Sequence, residues 1–290
     1  RSISMGNVLV INEADYLEYL IDDDDTKVIV MYVEGAKDGR RLFELLRSVR
    51  GKKPVVLWRG GRARAGGRAI HSHTASLASS GDVWAGLYRQ TGIIPAGSAD
   101  EVVDTVAALV NMTPSSKRNL ALIAMTGGQS VAISDQFERA GFEVPRLSQQ
   151  SYDRLAEFFN VIGGSYQNPF DAAGTVRGGE ENFKKLLDIL EDEPAIDGGI
   201  AIELSTQGYD KNPKWLDATL EQLASYRERT GQPVITLSPT GGVMSASGAS
   251  EAAVKAGEAI AARGFALYPS FARGADALGR VVDYYAALEE

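Results

Sequence analysis

The chain has 290 residues, with 30 Lys and Arg against 38 Asp and Glu, so its formal net charge is −8. This acidic balance disfavours general binding to nucleic acid or to an anionic membrane surface. The absence of cysteine excludes disulfides, thiolate zinc sites and cysteine nucleophiles. With no apolar run of the roughly 20 residues that span a bilayer and no signal-peptide layout at the start, a cytoplasmic location is expected.

Short apolar runs rich in β-branched residues alternate with stretches of helical period, which is typical of βα units around a parallel sheet. Strands are predicted at 27–33, 54–59, 120–125, 198–204, 233–239 and 265–270. Helices are predicted at 13–21, 39–50, 81–91, 99–111, 130–140, 151–160, 179–191, 214–230, 250–263 and 273–288. The alternation predicts an α/β fold with parallel sheets flanked by helices.

A seam between two domains is predicted near the middle of the chain. The segment NMTPSSKRN, residues 111–119, has the Pro, Ser and charge content of a linker. We therefore expect one domain at residues 1–113 and a second at residues 117–290. The acidic run IDDDDTK, residues 21–27, is expected to be a solvated connection, since consecutive carboxylates point in different directions.

Four loops follow predicted strands, which is where parallel α/β sheets bind their ligands. The loop YVEGAKDGR carries Glu34, and RGGRARAGGR leads into the two histidines. MTGGQS and ELSTQGYD are strand-to-helix transitions rich in Gly, Ser and Thr. Amides at a helix start favour an anion such as phosphate, although tight turns alone would also explain these glycines.

Both histidines of the chain, His71 and His73, lie in the segment AIHSHTASLASS. An imidazole is largely neutral near pH 7 and can accept a phosphoryl group without a separate base. Such a site needs a carboxylate to hold one ring nitrogen and N–H donors to hold the phosphate. Glu34, Gly127 with Gly128, and Ser205 with Thr206 are of the right types. The alternative is that the histidines are ordinary surface residues.

Two other chemistries fit these histidines less well. A hydrolytic triad could use Ser72 or Ser76, but the sequence has no nucleophile elbow of the G-x-S-x-G kind. A zinc site would need carboxylates for every remaining ligand, because no other His and no Cys exist. No metal site is therefore predicted.

Several segments together resemble the NDP-forming acyl-CoA synthetases, relatives of succinyl-CoA synthetase. The most specific piece is KKPVVLWRGGRARAGGRAIHSHTASLA, which is similar to the family's glycine loop and its "SHTG.LA" histidine loop. The series from SMGNVLVINEADYLEYL to EGAKDGRRLFE follows the family's order of blocks. The segments LALIAMTGGQSVAISDQFERAGFEVP and QNPFDAAGT are similar to the next domain's glycine loop and "NP.D" segment.

The resemblance implies roles for particular residues. His73, the histidine of "SHT", would be phosphorylated, and Glu34 would orient and stabilise the phosphohistidine. Phosphate would be held by helix starts of the second domain, at Thr126, Gly127, Gly128, Gln129 and Ser130, and at Ser205, Thr206 and Gly208. The resemblance implies that both domains are flavodoxin-like.

The resemblance also implies an activity and partners. The parent enzyme would interconvert acyl-CoA, NDP and phosphate with carboxylic acid, CoA and NTP, through an acyl phosphate and a phosphohistidine. It would need a CoA-binding domain, an ATP-grasp domain or subunit, nucleotide and Mg, and we expect it to be an oligomer. Because the sequence starts at Arg1, we expect it to begin inside a larger protein and to be inactive alone, with no cofactor bound in this part.

The histidine loop departs from the family pattern at two positions. Ala75 and Ser79 stand where the family usually has glycine, and Ala75 would cost energy if that position needs a positive φ. These changes leave open a catalytically degenerate module that senses acyl-CoA or regulates a partner. A scaffolding domain that has only inherited the fold is the third hypothesis.

Overall fold

The computed structural model describes residues 2–4, 11–63, 65–66, 81–176, 179–206, 209–210, 213–239 and 251–289. It confirms the α/β class, with parallel sheets flanked by helices. The chain forms two compact units: Arg1–Val110 with Ala286–Glu290, and Asn111–Tyr285. The last residues thus group with the first unit, although the sequence pattern assigned them to the second domain.

The first unit has a three-stranded parallel sheet in the order β1-β2-β3. Its strands are β1 (Ile29–Val33), β2 (Val55–Arg59) and β3 (Ile94–Ala96). Its helices are α1 (Glu13–Asp22), α2 (Gly39–Val49), α3 (Gly81–Thr91) and α4 (Ala99–Asn111). Leucines from α1 and α2 pack with Trp84 of α3 against β1 and β2, and this core fixes the sheet.

Hydrogen bonds at the helix starts position the loop that follows β1. Asn12 caps α1 in a capping box with Asp15, and Asp38 caps α2 by accepting from the Arg41 amide at 3.0 Å. The pKa of the Asp15 carboxyl is lowered by the Asn12 amide and by Arg41. Glu13 is buried, and its Oε1 accepts from the Lys37 amide at 2.6 Å, which ties α1 to this loop.

The second unit has a five-stranded parallel sheet in the order β5-β4-β6-β7-β8. Its strands are β4 (Leu120–Ala124), β5 (Phe170–Asp171), β6 (Gly199–Glu203), β7 (Val234–Leu237) and β8 (Leu267–Tyr268). Its helices are α5 (Gly127–Arg139), α6 (Gln149–Ala156), α7 (Ala173–Val176), α8 (Glu180–Glu191), α9 (Lys214–Thr230), α10 (Glu251–Ala262) and α11 (Phe271–Glu289). Strands β4, β6 and β7 are wholly buried, as expected of a sheet covered on both faces.

Each predicted strand and helix is present, with shifts at some ends. The pattern missed the short elements β3, β5 and α7, and α5 begins at Gly127 rather than at 130. The acidic connection is solvated, since Asp22, Asp24 and Asp25 are exposed. Among the described residues, no helix is long and apolar enough to cross a membrane.

Candidate functional site

The predicted site residues fall in both units. Glu34 lies at the carboxyl end of β1, while the two predicted phosphate loops follow β4 and β6 of the second unit. The histidine predictions, His71 and His73, lie outside the described residues, as does Gly208.

Glu34 is half-buried and is held by a tyrosine two residues earlier on the same face of β1. The Tyr32 hydroxyl donates to Glu34 Oε1 at 3.1 Å. The Tyr32 ring packs edge-on against Trp58 of β2, with centroids 4.8 Å apart. Burial, together with the hydrogen bond to the Glu34 carboxylate, raises the pKa of Tyr32, so this hydroxyl remains a donor at neutral pH. The carboxylate is thus oriented before any ligand binds.

Gly60 makes the Tyr32–Glu34 pair possible. Its amide donates to the Val33 carbonyl at 2.9 Å, which brings the backbone after β2 close to the end of β1. A Cβ at this position would lie 2.6 Å from the Tyr32 hydroxyl and 3.3 Å from Glu34 Cγ. A side chain here would therefore require the Tyr32 hydroxyl to move from its position beside Glu34.

In the second unit, both predicted phosphate loops lie at the topological switch point of the sheet. The chain leaves β4 toward β5 on one side, and β6 lies on the other side of β4. Helix connections after β4 and β6 therefore diverge and leave a crevice at the carboxyl ends of these strands, which is where such sheets bind ligands.

The start of α5 presents free amides at this crevice. Thr126 caps the helix: its Oγ1 accepts from the Gln129 amide at 3.3 Å, and its carbonyl accepts from the Ser130 amide at 2.9 Å. The amides without an intrahelical partner are those of Gly127 and Gly128, both exposed. A Cβ on Gly128 would meet nothing within 4 Å, so a ligand has room there.

In the loop after β6, one of the predicted phosphate-binding hydroxyls already has a partner within the protein. Thr206 and Ser238 are both buried, and their hydroxyl oxygens lie 3.3 Å apart. Ser205 is half-buried and lies nearer the surface. Buried Glu203, the last residue of β6, accepts from the Met125 amide at 2.9 Å and so ties the end of β6 to the end of β4.

Sequence reasoning singled out neither Asn168, which lies two residues before the short strand β5, nor Asp171, which is the last residue of β5. The Asn168 side chain is buried, accepts from the Leu122 amide at 3.0 Å, and donates to the Leu120 and Pro145 carbonyls, both at 2.9 Å. It thereby fixes β5 beside β4. The register pairs Asp171 with Ala124, and Asp171 Oδ2 lies 3.3 Å from the point that a Cβ on Gly127, the first residue of α5, would occupy. The resemblance of QNPFDAAGT was the only signal that pointed to this segment.

No described group of three or more His, Asp or Glu side chains could hold a metal ion. The donors at the α5 start are backbone amides, which favour an anion over a cation.

Comparison with known proteins identifies a family and relatives that the chain resembles. Residues 1–109 match the succinyl-CoA ligase like flavodoxin domain family. Acetate–CoA ligase [ADP-forming] I of Archaeoglobus fulgidus is 34% identical over 72% of the chain. The alpha subunit of acetate–CoA ligase [ADP-forming] II of Pyrococcus furiosus is 33% identical over 70% of it. Residues 1–109 are thus similar to a succinyl-CoA ligase like flavodoxin domain, and the chain is similar to part of two ADP-forming acetate–CoA ligases.

Solved structures share the α/β fold of the chain. A dinucleotide-forming acetyl-coenzyme A synthetase 1 of Ca. Korarchaeum cryptofilum, solved in complex with phosphate and ADP, aligns with a TM-score of 0.80 at 21% identity. The alignment covers 99% of this chain and 59% of that one. The chain spans only 30% and 43% of the two curated ligases named above.

Proposed function

We propose that the chain is the two-domain core of an NDP-forming acyl-CoA synthetase. The observation that carries the proposal is the exposed start of α5. The Gly127 and Gly128 amides lie there at the switch point of the parallel sheet, where free amides favour binding of a phosphate. The relationship to ADP-forming acetate–CoA ligases supports the same chemistry. The reaction interconverts acyl-CoA, NDP and phosphate with carboxylic acid, CoA and NTP.

In the proposed reaction, phosphate held at the α5 start attacks the thioester carbonyl. A bond forms between phosphate oxygen and carbonyl carbon, the carbon–sulfur bond breaks, and CoA leaves as the thiol. An imidazole nitrogen of His73 then attacks the phosphorus of the acyl phosphate, and the carboxylate leaves. The phosphohistidine finally transfers its phosphoryl group to NDP.

We assign Glu34 the role of hydrogen-bond acceptor for the imidazole of His73. Its Oε1 is engaged by Tyr32, so we assign Oε2 to accept from the ring nitrogen that does not carry the phosphoryl group. A carboxylate in this role fixes the tautomer and stabilises the positive charge that develops on the ring. Tyr32 acts through Glu34 and is a positioning residue.

The phosphoryl group carries about −1.5 to −2 charges, which need compensation in a partly desolvated site. We assign this to the amides and hydroxyls of the two loops. The residues are Thr126, Gly127, Gly128, Gln129 and Ser130 after β4, and Ser205, Thr206 and Gly208 after β6. The positive end of the α5 dipole adds to their effect.

The complete reaction requires parts that we assign to partner domains or subunits. CoA would be bound by a CoA-binding domain, and nucleotide with Mg by an ATP-grasp domain. We therefore expect the chain alone to show no overall ligase turnover. The half-reaction from acyl phosphate to His73 needs only residues of this chain.

That half-reaction gives the test. Incubation of the chain with [³²P]acetyl phosphate should label wild type, and the label should be lost in acid and stable in base. His73→Ala should abolish the label. Glu34→Gln should lower the labelling rate roughly 100-fold, because the ring loses its oriented acceptor.

His71→Ala is the matched control and should label like wild type. Equal labelling of wild type and His73→Ala would contradict the proposal. Tight acyl-CoA binding by a wild-type chain that is never labelled would instead indicate the degenerate sensing module.

A further inference from the structure

Asp171 is a buried carboxylate whose position the fold leaves unexplained. The residue is 7% exposed, and its Oδ1 has no hydrogen-bond partner in the described part of the chain. Its Oδ2 lies 3.3 Å from the point that a Cβ on Gly127 would occupy. The carboxylate therefore sits against the first residue of α5, next to the free amides of the proposed phosphate site.

The backbone holds Asp171 firmly in this place. Its amide and carbonyl pair with Ser165, at 2.9 and 3.1 Å, on the side away from β4. The Asn168 side chain hydrogen-bonds to the backbone of β4 and so holds the same strand beside it. A buried carboxylate oxygen without a donor is destabilising, and native proteins rarely keep one without a reason. A ligand that supplies the missing donor is such a reason.

The ligand must satisfy two opposite requirements at the start of α5. The Gly127 and Gly128 amides need an acceptor, and Asp171 needs a donor. Phosphate near neutral pH has both, because it carries negative oxygens and still keeps at least one P–OH proton. Sulfate has only acceptors at this pH, so one of its oxygens would face the Asp171 carboxylate without a proton between them. The χ2 torsion of aspartate has a broad, roughly two-fold energy profile, so rotation of the carboxylate can turn either oxygen toward the anion.

We propose that Asp171 accepts a hydrogen bond from the P–OH group of phosphate bound at the α5 start, and that the site thereby selects protonated oxyanions. The inference rests on the proposed function, which places phosphate at this helix. It assigns Asp171 a specificity role: the proton points toward Asp171, and the unprotonated oxygens face the amides and the acyl carbon. Rejection of sulfate comes from repulsion as well as from the missing donor.

Calorimetric titration of the whole chain with four sodium salts at pH 7.5 tests the proposal. Phosphate and arsenate, which both keep a proton, should bind alike. Sulfate and selenate, which do not, should bind about 10- to 100-fold more weakly. Asp171→Asn should bring phosphate and sulfate to within a few-fold of each other, because an amide can donate to either anion. Its thermal midpoint, measured alongside, should be no lower than that of wild type, since the uncompensated charge is gone.

Asp135→Asn is the control, because it removes the same charge from an exposed position of α5. It should keep the wild-type preference. Equal binding of all four anions by wild type would overturn the role of Asp171 and leave the phosphate site standing. Binding of none of them would overturn the phosphate site itself, and the selection with it. The wild-type anion series decides the matter even if Asp171→Asn does not fold.

Discussion

At the scale of single residues, the chemistry rests on side chains that neighbouring residues hold in place. Glu34 is oriented by Tyr32, and Asp171 is carried on a strand that Asn168 fixes. The position of Glu34 at the end of a strand was predictable, because it ends an apolar run and is followed by glycine; its role stays a prediction. The contacts of Asn168 and Asp171 were not predictable, because a two-residue strand has no period that a sequence pattern can detect, and only the resemblance pointed to their segment.

Gly60 should be required for the orientation of Glu34. Gly60→Ala places a methyl group 2.6 Å from the Tyr32 hydroxyl, so the hydroxyl must shift from its position beside Glu34. We expect labelling by acetyl phosphate to slow about 10-fold, as for other small misplacements of catalytic groups. Gly39→Ala is the control, since a Cβ there meets nothing within 4 Å. Unchanged labelling in Gly60→Ala would show that Glu34 needs no support from Tyr32.

Asn168 should be important for stability. Asn168→Ala leaves the Leu122 amide and the Leu120 and Pro145 carbonyls without their partner in a buried place. We expect a loss of about 3 kcal/mol in the free energy of unfolding, measured by urea denaturation. The exposed neighbour Gln167→Ala should cost less than about 0.5 kcal/mol. A similar small loss for Asn168→Ala would mean that β5 is held by other contacts.

At the scale of elements, long periodic segments were predictable and helix starts were not. The pattern began α5 at residue 130, because two glycines are poor helix formers. The Thr126 cap outweighs that preference and starts the helix at Gly127. This shift matters for the proposed function, since it makes the Gly127 and Gly128 amides the free donors. The short elements β3 and α7 were missed for the same reason as β5.

The start of α6 should carry a pH-dependent contribution to stability. Buried Glu193 accepts from the Ser148 amide and hydroxyl at 2.9 and 2.8 Å, and from the Ala195 amide at 3.0 Å. Burial acts to raise the pKa of Glu193, but hydrogen bonds, including those from Ser151, Ser148 and Ala195, outweigh it and lower the pKa below its ordinary value. The contribution is therefore present above the unfolded pKa and is lost as the pH falls through the folded pKa.

Glu193→Gln should accordingly lower the free energy of unfolding at pH 7 by about 1–3 kcal/mol. The difference from wild type should shrink as the pH falls below the ordinary glutamate range. Urea denaturation from pH 7 to pH 3 measures this. Glu228→Gln, at an exposed position of α9, should show no such trend. A pH-independent difference for Glu193→Gln would mean that the packing of the Glu193 side chain, and not its charge, contributes to the free energy of unfolding.

At the scale of the whole molecule, two α/β units each supply part of the proposed chemistry. The alternation of strands and helices was enough to predict the α/β class, and the resemblance was enough to predict the similarity to ADP-forming acyl-CoA ligases. The strand order was not predictable from the sequence, because it depends on how the strands pair. That order places the loops after β4 and β6 at one switch point. The proposed reaction requires the phosphate loops of the second unit as well as His73 of the first.

The most direct test of that claim is tandem mass spectrometry of the wild-type chain after incubation with acetyl phosphate, digested under basic conditions that preserve phosphohistidine. We expect one phosphorylated site, at His73, and its occupancy should fall when Gly127 and Gly128 of the second unit are replaced by proline and aspartate. A phosphoryl group on His71 or on a serine, or full occupancy of His73 in that double variant, would contradict the account.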